Sequence, residues 1–361
     1  MSSDSPMVCD MKRNTLPGCG FVALLVLALT THAFAQTPRP AAVDTRPIVE
    51  AARSLLDSLD ATQRRTLVYP IDSKEWRVWS NFHRSRSRVG LRLGDLKNEE
   101  RTRVFGLLRE ALSARGLQMA QGIVKLNHVL GVLTGRTDEF NEDDYYLVMF
   151  GTPSPSEPWG FQFEGHHLVI NYVVLGGEVV MSPTFWGSEP LHTPRDLSLP
   201  RRYQDLSVLE AERAEAKRFM GALSDEQRAK SRLDNPGIIA GAGNDNPSIE
   251  FEGLPGKDMN ERQRRALLDM IGAFVRNVRD DQARIDMAQV AAHIENTWFS
   301  AQTRADGRIF YRIISPEILV EFDEVPRLFS NEEHVHAVVR RRGGNDYGES
   351  LLQRHLHDHP H

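Results

Sequence analysis

A shift of 150 residues lays one stretch of this chain over another. Trp159–Tyr172 reads WGFQFEGHHLVINY and Ile309–Phe322 reads IFYRIISPEILVEF. Without a gap, Phe161 meets Tyr311, Phe163 meets Ile313, Leu168 meets Ile318, Ile170 meets Val320 and Tyr172 meets Phe322. Apolar and polar residues alternate in both, the mark of a strand with one buried face and one that can stay open. Upstream, YYLVMFG (Tyr145–Gly151) matches NTWFSAQ (Asn296–Gln302). A chain with such a hairpin twice is restricted to folds in which two similar units pack together. The alternative is that any two amphipathic hairpins align this well.

Helical signals precede each hairpin. Asp60, Asn98, Ser224 and Asn260 are cap formers, and Gln63, Gln227 and Gln263 follow three of them at the capping-box spacing. Glu99 and Glu100 suit the positive end of the second helix instead. Behind the caps, Val104, Leu107, Leu108, Ala111 and Leu112 form one apolar stripe, and Leu267, Leu268, Ile271, Phe274, Val275 and Val278 another. The expected fold is α+β, in two pseudo-repeats. Each has amphipathic helices followed by antiparallel strands, and the two pack as one unit about a pseudo-twofold axis. The repeats span about 49–200 and 201–330 of a single domain, 49–355, which ends in a segment 331–355. The Gly-, Pro- and Asn-rich stretch Asn235–Gly256 reads as a long loop. SPTFWGSEP (Ser182–Pro190) reads as a loop that can wall a pocket.

The N-terminus reads as a secretory signal. Lys12 and Arg13 precede the apolar run Phe21–Thr30, and Ala33-Phe34-Ala35 is a cleavage pattern. The expectation is a signal peptide over 1–35, with Met1 or Met11 as the start, and a linker over 36–48. Localisation is then periplasmic or extracellular. Both cysteines, Cys9 and Cys19, fall in the signal, so the exported chain rests on its core rather than on disulfides. The net charge of −5 carries no basic stripe for nucleic acid. No membrane span is expected after cleavage.

Thirteen histidines draw attention, twelve of them after Ala35. His334 and His336 form an HxH pair that points one way on a strand and can share a metal ion. His166 and His167 are adjacent, so a regular strand points them oppositely. The repeat places His166 with the apolar set and His167 with the polar one. That polar face collects Gln162, Glu164, His167, Asn171, Arg312 and Glu321. With His334 and His336 it would offer three imidazoles to zinc, copper or iron, with Glu164 as general base. The bland reading of HxH is surface polarity. His166 suits a hydrogen bond at the strand entrance, with metal ligation as the other reading. Arg340 and Asp346 suit a structural pair, or Asp346 a ligand or an orienter of one. Arg312 and Arg340 join Glu164 as candidate catalytic groups. The residues 356–361, rich in histidine, read as a frayed tail after a short helix at Ser350–Leu356.

The stretches FGTPSPSEPWGFQFEGHHLVINYVVLGGEVVMSPTFWGSEP and HVHAVVRRRGGNDYGESLLQRHL resemble domain of unknown function family 3500, over roughly Ala51 to His355. The matching positions include Trp159, Gly165, His166, His167, His334, His336, Arg340, Asn345, Asp346 and Gly348. The resemblance implies an exported protein of this layout and no established activity. The functional expectation is a His-rich polar cleft holding one transition metal, in a metal-dependent hydrolase or oxidoreductase acting on a small molecule or polymer. The alternatives are a non-enzymatic metal- or small-ligand-binding protein of the cell envelope, and a structural scaffold.

Overall fold

The four cap patterns start helices, and the helices meet in pairs. A computed structural model describes residues 42–83 and 88–358. The expected signal peptide, residues 36–41 of the linker and the last three residues of the tail lie outside these. In chain order come α1 (Arg46–Ser58), α2 (Ala61–Leu67), β1 (Val68–Tyr69), β2 (Leu91–Arg92), α3 (Asn98–Ala111), α4 (Ala114–Thr134), β3 (Tyr145–Phe150), β4 (Trp159–Gly165), β5 (Leu168–Leu175) and β6 (Glu178–Ser188). Then follow α5 (Glu210–Gly221), α6 (Asp225–Lys230), β7 (Leu254–Pro255), α7 (Glu261–Val275), α8 (Asp280–Ala292), β8 (Trp298–Thr303), β9 (Ile309–Ile314), β10 (Ile318–Glu324), β11 (Val335–Arg341) and α9 (Glu349–Asp358). The described residues fall within one compact unit. No helix among them is long and apolar enough to cross a membrane.

Capping boxes form at Asp60–Gln63, Ser224–Gln227 and Asn260–Gln263. The second helix departs from expectation. Asn98 is already inside α3, and the capping position is Lys97, whose N–H donates to Glu100 at 2.8 Å. The cap glutamines then reach across. Gln63 Nε2 donates to Glu100 Oε2 at 3.1 Å, and Gln227 and Gln263 exchange N–H groups at 3.1 and 2.8 Å. Helix starts far apart in sequence are thus fastened two by two.

All eleven described strands join one sheet, in the order β1-β3-β4-β5-β6-β11-β10-β9-β8-β7, with β2 against β3. Only the short β1–β3 pair is parallel. Phe163 pairs with Ile170 and Ile313 with Val320, so the 150-residue shift preserves hairpin register. The flanking strand needs a different shift. Tyr146 pairs with Glu164 and Trp298 with Ile314, so Tyr146 corresponds to Trp298, a shift of 152 rather than the 151 read from sequence. One residue of slip exchanges the two faces of a strand.

Ser182–Pro190 is not a loop. Most of it is central strand β6. Pro183 is tolerated because the β5–β6 register shifts between Ile170 and Tyr172, leaving Ser182 and Pro183 outside the ladder. Asn171 Nδ2 donates to the Pro183 carbonyl at 2.9 Å there. The tail is not wholly frayed either, since α9 runs on to Asp358.

The helices cover one face of the sheet. Phe161, Phe163, Ile170, Tyr172, Tyr311, Ile313, Val320 and Phe322 pack there with Leu107, Leu126, Leu267 and Ile271. The second face is also covered, against expectation. Trp76 and Trp79 from the segment after β1, Ala240 from the long loop, and Tyr347 and Leu351 near α9 pack on Val169, Val173 and Val338. Gln162, Asn171 and Glu321 have no solvent exposure as a result. Their polarity anchors the covering loops. Gln162 donates to the Trp76 carbonyl, and Glu321 accepts the N–H groups of Ile239 and Ala240.

Candidate metal centre

His166 and His167 form the two-residue turn between β4 and β5 and do not continue a strand. His167 has φ 67°. The turn lets both rings lie side by side, with centroids 3.8 Å apart, where a regular strand would have separated them. The His166 side chain still heads toward the helices, with Nδ1 2.7 Å from Asn127 Oδ1 on α4. Its carbonyl accepts from Tyr145 Oη at 2.8 Å. The backbone of His167 is held by Asn81 O at its N–H, 3.1 Å away, and by Gly187 N–H at its carbonyl, 2.7 Å away.

The HxH pair meets this turn across the sheet. β11 lies beside β6, with His336 opposite Gly187, and β6 lies beside β5. His334 Nε2 stands 3.0 Å from His167 Nε2 and 3.0 Å from His336 Nε2. One ligand atom from each of the three lies within 4.8 Å of the others. Nitrogens around a tetrahedral ion at ~2.0–2.1 Å are about 3.3 Å apart, close to what is seen.

Electrostatics favour neutral rings. Burial pushes His167 well below the usual imidazole range, with His166 and His334 adding to it. Burial lowers His336 to about 3, and lowers His334 against the opposing pull of Glu189. Neutral imidazole is the form that binds metal. His334 Nδ1 faces two acceptors, Pro326 O at 3.0 Å and Glu189 Oε2 at 3.3 Å, so Nδ1 carries the proton and Nε2 keeps its lone pair. Glu189 is itself fixed. Its Oε1 accepts the N–H groups of Leu328, Phe329 and Ser330 at 3.1, 2.9 and 2.7 Å, and the Ser330 hydroxyl at 3.0 Å.

The other candidates stand elsewhere. Glu164 shares the loop-covered face but is separated from β11 by β5 and β6. It accepts the Ser80 N–H at 2.8 Å and lies 3.8 Å from Arg88 Nε. Burial raises its carboxyl to about 7, although Arg88 and the Ser80 N–H pull the other way. Arg312 donates to Glu321, Glu252 and the Gly237 carbonyl. Arg340 is ion-paired with Asp346 and donates to the carbonyls of Ala240 and Gly241. Asp346 also accepts from Ser182 Oγ and the Asn246 N–H, both at 2.7 Å. These three tie β9, β10 and β11 to the long loop. The structure therefore gathers His167, His334 and His336, sets His166 against His167, and leaves Glu164, Arg312, Arg340 and Asp346 outside the cluster.

Glu189 was not legible as a site residue. It sits before Pro190 in a stretch read as a loop, and nothing in the sequence links it to His334, 145 positions later. Asn127 was hidden in the same way, as a polar residue in the apolar helix α4.

The fold and the site define a class: an α+β protein with one broad sheet and an all-imidazole cluster at the corner where β5, β6 and β11 meet. The chain belongs to the family described as Protein of unknown function (DUF3500), whose model matches residues 41–349. That span includes the three imidazoles and Glu189. Neither a curated protein nor a solved structure matches the chain.

Proposed function

We propose that this chain is an exported metalloprotein holding one transition-metal ion on His167, His334 and His336, and that it works as a metal-dependent hydrolase. The observation that carries the reading is the convergence of three Nε2 atoms, with two separations of 3.0 Å, from a turn and a strand brought together across the sheet. Three neutral ligands leave the ion its full charge. That is the arrangement that lowers the pKa of a bound water toward about 7 and polarises a substrate oxygen. His336 is partly exposed, whereas His167 and His334 are buried, so the open coordination position would face out on its side. Oxidation of a small molecule, with copper or iron in the same ligands, belongs to the same reading of the site.

The narrow exposure of the cluster also supports a second reading, a non-enzymatic metal-binding protein of the cell envelope. One experiment addresses both. The chain truncated after His355 is stripped with chelator and titrated with Co²⁺ and Zn²⁺. One equivalent per chain and a tetrahedral Co²⁺ spectrum are expected, both lost in His334→Ala. Hydrolysis of an activated ester by the zinc-loaded protein, absent after stripping, supports the enzyme over the binding protein. No metal uptake by the truncated chain sinks both.

A further inference from the structure

Ligand atoms converge at a second place in the fold. Among the described residues, His192, Glu210 and Glu333 bring one such atom each to within 4.8 Å of the others. This group shares no residue with the imidazole cluster, but it shares two stretches of chain with it. Glu333 directly precedes His334, and His192 follows Glu189 by three positions. The pairing of β6 with β11 that carries His334 to the twin-histidine turn therefore also carries Glu333 toward His192.

Each ligand is positioned by its own backbone. His192 forms an antiparallel bridge with Ser207, flanked by the Thr193 N–H on the Leu206 carbonyl at 3.1 Å and the Val208 N–H on the Leu191 carbonyl at 2.9 Å. That ladder leads into α5, whose first residue is Glu210. His192 Nδ1 stands 3.1 Å from Glu210 Oε1. One turn further along α5, Arg213 reaches Glu333 at 2.6 Å and also pairs with Glu324 at the end of β10. Lys217 stands 3.7 Å from Glu324. With His192 neutral, Glu210, Glu324 and Glu333 carry three negative charges against two positive ones. Glu210 and Glu333 come together although Arg213 bonds only to the second.

A divalent cation would offset this excess and use all three donors at once. Around an octahedral ion at ~2.1 Å, adjacent ligands stand about 3 Å apart and opposite ones about 4.2 Å, so every pair fits within the observed limit. Two carboxylates to one imidazole weight the set toward Mn²⁺, whereas three imidazoles weight the inner cluster toward zinc, copper or iron. We propose that His192, Glu210 and Glu333 form an outer site for one Mn²⁺-like divalent cation, filled independently of the imidazole cluster. The three side chains are 43, 48 and 35 % exposed, so the remaining coordination positions fall to water. Affinity should then lie near the ~0.1–1 mM of exposed extracellular cation sites.

The test is titration of the chelator-treated full chain with Mn²⁺, followed by electron paramagnetic resonance, in which the signal of the free ion disappears on binding. One saturable site is expected in the parent chain. His334→Ala, which disables the imidazole cluster, should keep it. His192→Ala and Glu210→Gln should each weaken it by about tenfold or more, since even partners outside the coordination shell are worth that much. The metal-free melting temperature of each variant shows that the chain is folded. The proposal is overturned if the parent takes up no Mn²⁺ in this range, or if His334→Ala abolishes uptake, which would put the ion in the imidazole cluster. It is also overturned if folded His192→Ala and Glu210→Gln chains keep the parent affinity, which would leave the histidine-rich tail as the binder.

Discussion

Arg312 and Glu321 face each other across β9 and β10, Nε to Oε1 at 2.8 Å, at the positions that Gln162 and Asn171 fill in β4 and β5, also bonded, at 2.6 Å. Each pair also fastens the loop that covers its half, through the carbonyls of Gly237 and Trp76 respectively. One half uses two amides where the other uses two charges. Removing one member of a buried ion pair leaves the other charge uncompensated, which costs about 3 kcal/mol. Glu321→Gln should show a loss of that order in urea unfolding, moderated by the contact of Arg312 with Glu252. The double variant Arg312→Gln, Glu321→Asn copies the amide pair and should be less destabilised than Glu321→Gln alone.

Glu164 makes stability fall as pH rises. Its carboxyl is held at about 7 in the folded chain by burial, against 4.5 as the ordinary value. Below pH 4.5 both states hold the proton and nothing is lost. Between that point and pH 7 the unfolded chain ionises while the folded one resists, so the unfolded state gains. The loss reaches about 3 kcal/mol above pH 7, at 1.36 kcal/mol per unit. Glu164→Gln should flatten this part of the stability profile and be the more stable protein at pH 8. A variant profile with the wild-type slope would contradict the assignment.

Glu189 should govern metal affinity without touching the metal. Supporting partners of a ligand histidine are worth about 10–100-fold in affinity. Glu189→Gln should weaken Co²⁺ binding by that range. It should also lower the melting temperature of the metal-free chain, because a neutral amide oxygen replaces the charged Oε1 that accepts the four donors from Leu328 to Ser330. Equal Co²⁺ affinity in the variant and the parent would reduce Glu189 to a loop anchor.

Metal should also stabilise the fold. An ion that binds only the native state at 100 times its dissociation constant adds about 2.7 kcal/mol. Thermal unfolding with and without Zn²⁺ should show an upward shift in the parent chain and none in His167→Ala or His334→Ala.

Gly165 should couple packing to the site. A Cβ there would stand 2.2 Å from Cδ1 of the Tyr145 ring, and that ring is tied to the twin-histidine turn through its hydroxyl and the His166 carbonyl. Gly165→Ala should cost about 1–3 kcal/mol, as overpacking does, and should weaken Co²⁺ binding as well. Destabilisation with unchanged metal affinity would separate the two.

Much of the scaffold was legible because its signals are local. Capping boxes are written in four residues, and Asp60, Ser224 and Asn260 stand where the spacing put them. Strand alternation has a period of two, so Ile318, Val320 and Phe322 could be assigned to one face, the face the helices cover. The failures also have local causes. Pro183 reads as a breaker because a sequence does not display the bulge that excuses it. Asn98 reads as a cap, although the residue before it holds that position. The twin histidines read as strand because a two-residue turn needing positive φ usually advertises itself with glycine or asparagine, and His167 does not.

The sequence by itself determined the amphipathic helices behind the caps, the two alternating hairpins and the register within each, because each depends on neighbours within a few residues. It also singled out His167, His334 and His336 by residue type and spacing. Only the tertiary structure decided that β6 lies against β11 at the centre of one sheet. That adjacency closes the 167-residue gap between His167 and His334 and brings Glu189 to His334, while the segments carrying Trp76 and Ala240 bury the second face of the polar strands. Side chains so distant in sequence become neighbours through burial of apolar surface over the whole sheet, a sum over many contacts that no short stretch records.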